Sequence, residues 1–150
     1  MPGTYTQILL HVVFATKGRH PWIDHEVADR LYPYIGAIIR ERGGSTVEIG
    51  GIADHVHVLV RWHTRSAIGD MMRYVKGSSS KWIHETLPGL REFAWQEGYG
   101  AFSVSASQEE VVRAYIRNQE AHHARIGFQD ELRRLLEAHR VEFDARYAFD

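Results

Sequence analysis

From Thr4 to Thr16 apolar residues fall on alternate positions, with Ile8, Leu10, Val12 and Phe14 on one side and Gln7, Leu9, His11 and Val13 on the other. Alternate side chains point to opposite faces of a strand, so this period of two predicts one long strand. Lys17-Gly18-Arg19-His20-Pro21 breaks it. Asp24 then stands where a helix N-cap belongs, ahead of Val27, Leu31, Ile35, Ile38 and Ile39, which keep a helical period up to Arg42-Gly43-Gly44. Pro33 has no N–H to donate, which predicts a kink in this helix or a later start near Tyr32.

Ser45 to Ile49 reads as a short strand, Gly50-Gly51-Ile52-Ala53-Asp54 as a bend and His55 to Trp62 as the next strand, together an antiparallel pair. From Ser66 a second helix carries Ile68, Met71, Met72, Val75, Ser79, Trp82 and Ile83 at helical spacing, with Gly77-Ser78-Ser79-Ser80 weakening its middle. Phe93 to Ser105 is strand-like, and its glycines predict a turn or bulge. Ser107-Gln108-Glu109-Glu110 has the pattern of a capping box opening the helix of Tyr115. After Gly127, Phe128, Leu132, Leu135, Leu136 and Phe143 mark a last amphipathic helix.

This order predicts an α+β, ferredoxin-like sandwich: an antiparallel sheet with helices on one face, plus C-terminal helices carrying the tyrosine. A single domain spans 1–150, with a core over about 4–124 and a C-terminal helical extension over 128–150. The first strand and the His55–Trp62 strand are expected as central neighbours. Their second faces carry Leu9, Val13 and Leu59 beside His11, His55, His57 and Arg61. Something must cover them, and the Tyr115 helix, from this subunit or a partner, is the candidate.

A chain of 150 residues, 44% hydrophobic, has a real core and no room for two domains of ordinary size. With no cysteine, disulfides, thiolate metal sites and a Cys nucleophile are excluded, and any metal must sit on nitrogen and oxygen. No apolar run approaches the roughly 18 residues of a membrane span. Met1-Pro2-Gly3-Thr4 does not open a charged leader, so a soluble, unexported, cytoplasmic protein is expected. A net charge of −1 argues against a generic basic coat for nucleic acid. Yet 15 of the 18 basic residues are Arg, whose planar fork suits phosphate, and ten His add to them, so local patches can supply what net charge does not.

The chemistry-bearing segment is Asp54-His55-Val56-His57-Val58-Leu59-Val60. On a strand His55 and His57 share one face, while Val56, Val58 and Val60 share the other. Far downstream, Tyr115 and Gln119 sit four apart in a helical stretch, which stacks them on one face. Two imidazoles and an amide oxygen form a nitrogen and oxygen site with open positions, suited to Mg²⁺ or Mn²⁺ acting on a phosphate and admitting Zn²⁺ or Ni²⁺. Such an ion serves as Lewis acid and template, and Tyr115 as attacker, giving a covalent phosphotyrosine. An ordinary phenol titrates near 10, so attack calls for nearby positive charge or a proton acceptor.

Each residue alone has a plainer reading. Two histidines on a half-exposed strand need no ion, and a half-buried tyrosine can simply anchor its helix. His122 and His123 are adjacent in a helix, diverge by about 100° and make poor paired ligands. His11 reads as a substrate contact or as an interior histidine. Lys17, Arg19, Arg61, Arg65, Arg73, Lys76 and Lys81 are DNA-contact candidates, with a solvated face as the plain alternative. Trp62, Trp82 and Trp95 read as core.

Together, Asp54-His55-Val56-His57, Lys76-Gly77-Ser78-Ser79, Trp95-Gln96-Glu97-Gly98-Tyr99 and Tyr115-Ile116-Arg117-Asn118-Gln119 resemble the landmarks of single-tyrosine HUH transposases of the insertion-sequence 200/605 type, from about Tyr5 to about His123. The resemblance implies that His55 and His57 bind the metal, that Gln119 completes the site and that Tyr115 is the nucleophile. It further implies cutting and rejoining of single-stranded DNA at hairpin-forming element ends, through a 5′-phosphotyrosine that frees a 3′-hydroxyl. It also implies a homodimer able to exchange the tyrosine helix. Two rivals remain open: a ferredoxin-like module that binds single strands without cutting them, and a metallohydrolase using activated water.

Overall fold

The computed structural model describes residues 3–146. Met1, Pro2 and the last four residues of the expected extension lie outside the described residues. The elements run β1 (Ile8–Ala15), α1 (His25–Glu41), β2 (Ser45–Ile52), β3 (His55–Trp62), α2 (Ile68–Thr86), β4 (Gly100–Val104), α3 (Glu109–Arg117), α4 (Gln119–His123) and α5 (Phe128–Ala138). The four strands form one antiparallel sheet in the order β2-β3-β1-β4, which is the expected ferredoxin-like α+β architecture.

α1 begins where Asp24 predicts it, with the Asp24 carboxylate accepting from the Val27 N–H at 2.9 Å. Pro33 does not delay the helix, which is continuous from His25. Both Pro33 and Asp29, whose carbonyl would have taken the missing bond, are exposed, and water can satisfy that carbonyl. Helix α2 likewise runs unbroken through Gly77-Ser78-Ser79-Ser80. Its buried Ser79 hydroxyl donates to the Val75 carbonyl and accepts from Trp95 Nε1 at 3.0 Å, so the small polar residue seats a tryptophan against the helix.

The bend expected at Gly50-Gly51 is confined to Ala53-Asp54, and β2 continues to Ile52. These glycines serve close approach rather than turning. A Cβ on Gly50 would lie 2.4 Å from the Ile116 carbonyl oxygen of α3, and one on Gly51 would lie 2.2 Å from the His55 oxygen. The strand expected over Phe93 to Ser105 shrinks to Gly100–Val104. Upstream only Trp95 makes a bridge, to Thr16, and Gly98 turns the chain at φ +83°. The predicted capping box is not made: a 3-10 turn over Ala106–Gln108 leads into α3, and the Ser107 hydroxyl pairs with Ser105 at 3.0 Å.

The two faces of the sheet have different partners. Leu10, Val12, Phe14, Val56, Val58 and Val60 pack with the apolar stripes of α1 and α2 into the main core. Each fully buried aliphatic side chain there stabilises the fold by roughly 1.5–3 kcal/mol, and this fixes the direction of the intervening residues. On the second face Leu9 and Leu59 pack under Ile116 of α3, and Val13 and Phe102 pack under Leu136 of α5. His11, His55 and His57 lie between these two small clusters, fully covered by helices of the same chain.

Gly50→Val, which drives a side chain into the backbone of α3, should lower stability by about 1–3 kcal/mol in denaturant unfolding. Gly77→Ala, on an open helical position with no atom within 4 Å, should raise it by about 0.5–1 kcal/mol.

Candidate functional site

The β1–β3 pairing sets Val13 opposite His57 and Ala15 opposite His55, so the two imidazoles lie one above the other on the covered face beside His11. Each has its Nδ1 anchored. His55 Nδ1 meets Asp54 Oδ1 at 2.7 Å, and His57 Nδ1 meets His11 Nε2 at 2.8 Å. The last residue of α4 adds a third ring, with His123 Nδ1 held by the Ile126 carbonyl at 2.7 Å. With Nδ1 fixed, all three rings turn Nε2 inward. Glu131 Oε1 lies 3.2 Å from His55 Nε2 and 3.0 Å from both His57 Nε2 and His123 Nε2.

The other oxygen of the same carboxylate meets the tyrosine. Tyr115 donates its hydroxyl to Glu131 Oε2, and Gln119 Nε2 donates to that oxygen at 3.0 Å. Gln119 Oε1 in turn lies 3.1 Å from His55 Nε2. Tyr115 and Gln119 therefore converge as the four-residue spacing predicts, although the helix breaks between them at Asn118. The phenol ring packs edge-on against His57, His11 and His122, with centroids at 5.7, 5.9 and 5.2 Å.

Electrostatics follow from burial and from one carboxylate. Burial opposes charge on His55, but hydrogen bonds and attraction from Asp54 and Glu131 outweigh it and hold the ring up at about 9. His57 has Glu131 and no second carboxylate, so burial wins and pushes it down to about 4. Burial and the neighbouring His57 push His11 down to about 3, which makes it a neutral spacer that fixes the tautomer of His57. Burial disfavours ionised Glu131, yet its bonds to His123, His55 and His57 hold it far below the usual carboxylate range. Burial and the Glu131 bond push Tyr115 well above an ordinary phenol.

The donor set suits a divalent ion. His55, His57, His123 and Glu131 each offer a ligand atom, and these atoms lie within 4.8 Å of one another. A single carboxylate oxygen crowded by three imidazole nitrogens exceeds its usual acceptor capacity, and His122 Nε2, buried 3.3 Å from the other oxygen, is not aligned for a hydrogen bond to it. Convergent nitrogens with anchored second nitrogens are what metal-binding histidines require.

The structure brings together His55, His57, Tyr115 and Gln119 and disperses the other expected contacts. His11 is 3% exposed and bound to His57, so it braces a ligand candidate. Lys76 is also committed inside the fold, its ammonium donating to the carbonyls of Gln96 and Gly98. Arg61 pairs with Glu109 at 3.2 Å, about 20 Å along β3 from His55. Arg73 pairs with Asp70 at 3.3 Å on α2, which packs on the far face of the sheet. Lys17, Arg65 and Lys81 are exposed and Arg19 partly so.

Sequence reasoning missed His123 and Glu131. The divergence of His122 and His123 is real, yet both reach one carboxylate from different sides: His123 Nε2 lies 3.0 Å from Glu131 Oε1 and His122 Nε2 3.3 Å from Glu131 Oε2. For Glu131 there was a visible sign: it lies within the apolar stripe Phe128, Leu132, Leu135, Leu136 of α5, where a charge has no reason to sit unless partners wait beneath.

Residues 4–119 match the model of the IS200-like transposase family. The chain is 28% identical over 122 residues to the ISDra2 transposase TnpA of Deinococcus radiodurans, covering 78% of this chain and 87% of that protein. It is 27% identical over 115 residues to the transposase for insertion sequence element IS200 of Salmonella typhimurium, covering 73% and 74%. Its fold superposes with a TM-score of 0.67 on a crystal structure of a transposase from Deinococcus radiodurans, at 27% identity and covering 79% of this chain and 95% of that one. At 14% identity it shares the fold of a REP-associated tyrosine transposase solved with a REP hairpin, with a TM-score of 0.62 over 84% of this chain and 74% of that one. With a conjoined histidine pair, tyrosine and glutamine inside the matched span, the chain belongs to the IS200-like transposase family, the family its sequence landmarks resemble.

Proposed function

We propose that this transposase is a metal-dependent transesterase that cuts and rejoins single-stranded DNA through a 5′-phosphotyrosine on Tyr115. The observation that carries the reading is the meeting of the Tyr115 hydroxyl and three imidazole Nε2 atoms at the two oxygens of one carboxylate. A nucleophile and an electrophile-binding cluster set one carboxyl group apart suit attack on a phosphate whose oxygen faces the imidazoles.

His55, His57 and Gln119 Oε1 would hold a divalent ion, Mg²⁺ or Mn²⁺, with His123 beside them as a further nitrogen donor. When bound, it supplies Lewis-acid stabilisation of the charge that develops on the phosphate. Asp54 and His11 keep the ring planes of His55 and His57 from turning. The Tyr115 oxygen forms the bond to phosphorus as the bond to the 3′-oxygen breaks, and attack by a 3′-hydroxyl on the phosphotyrosine reverses the step. A phenol held this high does not ionise by itself at neutral pH, so its proton must pass to an acceptor as the bond forms.

DNA with hairpins is the proposed partner, in line with the hairpin named for the solved fold relative. Exposed Lys17, partly exposed Arg19, and Arg61 and Arg73 with their acidic partners are the proposed backbone contacts. We place the chain in the cytoplasm as one domain, core 4–124 and extension 128–150, acting as a homodimer. No helix among the described residues is long and apolar enough to cross a membrane. Exchange of the tyrosine helix between subunits is compatible with this reading but is not needed to build the site, since Tyr115 meets the histidines of its own chain.

Incubation with hairpin-bearing single-stranded oligonucleotides and Mn²⁺ should yield a denaturation-resistant protein–DNA adduct that Tyr115→Phe abolishes. Binding without any adduct would make the protein a non-cutting module, and cleavage that survives Tyr115→Phe but not His55→Ala would make it a hydrolase. In calorimetric titration with Mn²⁺, His57→Ala should remove ion binding. His11→Phe, which keeps the packing but frees His57 Nδ1, should weaken it by about 10–100-fold.

A further inference from the structure

We propose that α5 is a built-in cover, and that the Glu131 carboxylate stands where the scissile phosphate must bind, so that DNA has to displace the helix before Tyr115 can attack. The inference rests on the reading of Tyr115 as the nucleophile.

A phosphate poised for in-line attack needs its phosphorus about 3–3.5 Å from the tyrosine oxygen. One of its oxygens must also face the imidazole cluster. In this structure the carboxyl group of Glu131 fills that volume: Oε2 takes the Tyr115 hydroxyl and the Gln119 amide, and Oε1 takes the three Nε2 atoms. Carboxylate and phosphate oxygens are both anionic acceptors, and both draw on these donors. The Tyr115 hydroxyl cannot serve both, and two anions cannot share a buried spot 1% exposed to solvent.

The helix that brings Glu131 is built to come away. Its apolar contacts form a separate small cluster, Leu136 with Val13 and Phe102 and the flanking Phe128, Leu132, Leu135 and Phe143. None of these belongs to the core between the sheet and helices α1 and α2, so α5 can lift without opening that core. Leu136 is its one buried hydrophobic residue, Phe128 packs on the His55 ring at 4.5 Å, and the charged contacts of Glu131 complete the fastening. Gly127, just before the helix, is exposed, and no atom lies within 4 Å of where its Cβ would stand, so nothing packs over the joint that precedes α5. The residues that do the proposed chemistry, His55, His57, Tyr115 and Gln119, all lie within the family-matched span of 4–119, and α5 lies wholly beyond it.

If Glu131 were simply a ligand that the reaction needs, its removal would lower activity; as a stand-in for substrate, its removal raises it. Two arms test this on the full chain. In the first, hydrogen exchange of the Phe128–Ala138 amides is followed in Tyr115→Phe with and without a hairpin-bearing single-stranded oligonucleotide and Mn²⁺. Loss of protection on addition of DNA is the expected result, and unchanged or increased protection overturns the proposal. In the second, Glu131→Gln, which keeps the side-chain shape, and Leu136→Asp, which loosens the helix without touching the site, are compared with the parent for oligonucleotide affinity by fluorescence anisotropy and for adduct rate. Both should rise by about tenfold in each variant, the change expected if roughly a tenth of the molecules are open before substitution. A fall in both variants, or no change in either, overturns the cover. If no form of the protein yields an adduct, the nucleophile reading fails, while the exchange and affinity results still decide whether DNA and α5 compete.

Discussion

One buried carboxylate, ringed by imidazoles, holds the second face of this protein together. An isolated carboxylate in such a place is heavily penalised, so Glu131 can be buried only because His55, His57, His123, Gln119 and Tyr115 all point at it. Those side chains come from separate parts of the chain: β3, the turn end of α4, and the broken junction of α3 and α4. The group therefore forms only when the sheet, the two short helices and α5 have all docked. Its members then act as one unit, and the charge of any one of them depends on the others.

That convergence depends in turn on quiet details of the backbone. The absence of a side chain at Gly50 lets the Ile116 carbonyl of α3 settle onto β2, and Ile116 with Leu9 and Leu59 then fixes the height of Tyr115 above the sheet. Asp54 sits in the two-residue turn directly before β3, so the same hairpin that starts the strand also supplies the anchor for His55 Nδ1. His11 reaches His57 because β1 and β3 are neighbours in this register; a slip of β3 by one residue would turn His55 and His57 into the hydrophobic core, away from His11, and the β3 valines toward α3. The same antiparallel pairing thus supports both the core and the chemistry.

For a transposase, the arrangement separates what must be rigid from what must exchange. The imidazoles rise from the two central strands, the stiffest part of the sheet, and their second nitrogens are tied to protein groups. Tyr115, Gln119 and Glu131 come from short helices on a small satellite core, with an exposed glycine between them. Imidazoles on rigid strands and a carboxylate on a separately packed helix suit the proposed exchange of Glu131 for a substrate phosphate.

The strands, the two long helices and the pairing of His55 with His57 were legible in the chain, because periods of two and of about 3.6 are local consequences of backbone geometry. So was the meeting of Tyr115 with Gln119, since the break at Asn118 leaves one helical turn of spacing nearly intact. Pro33, the serine run in α2 and the glycines of β2 were misjudged for one reason: each is excused by something distant, whether solvent beside Asp29, the indole of Trp95 or the carbonyl of Ile116. The role of His11, the conversion of Lys76 from a surface cation into a tie for the Gln96–Gly98 loop, and the entry of His123 and Glu131 into the site were decided by tertiary structure alone. Local periodicity determines which face a side chain takes, but which charges are buried against one another is settled only when separate elements pack, because the energy of an ion in the interior depends on the partners that packing brings.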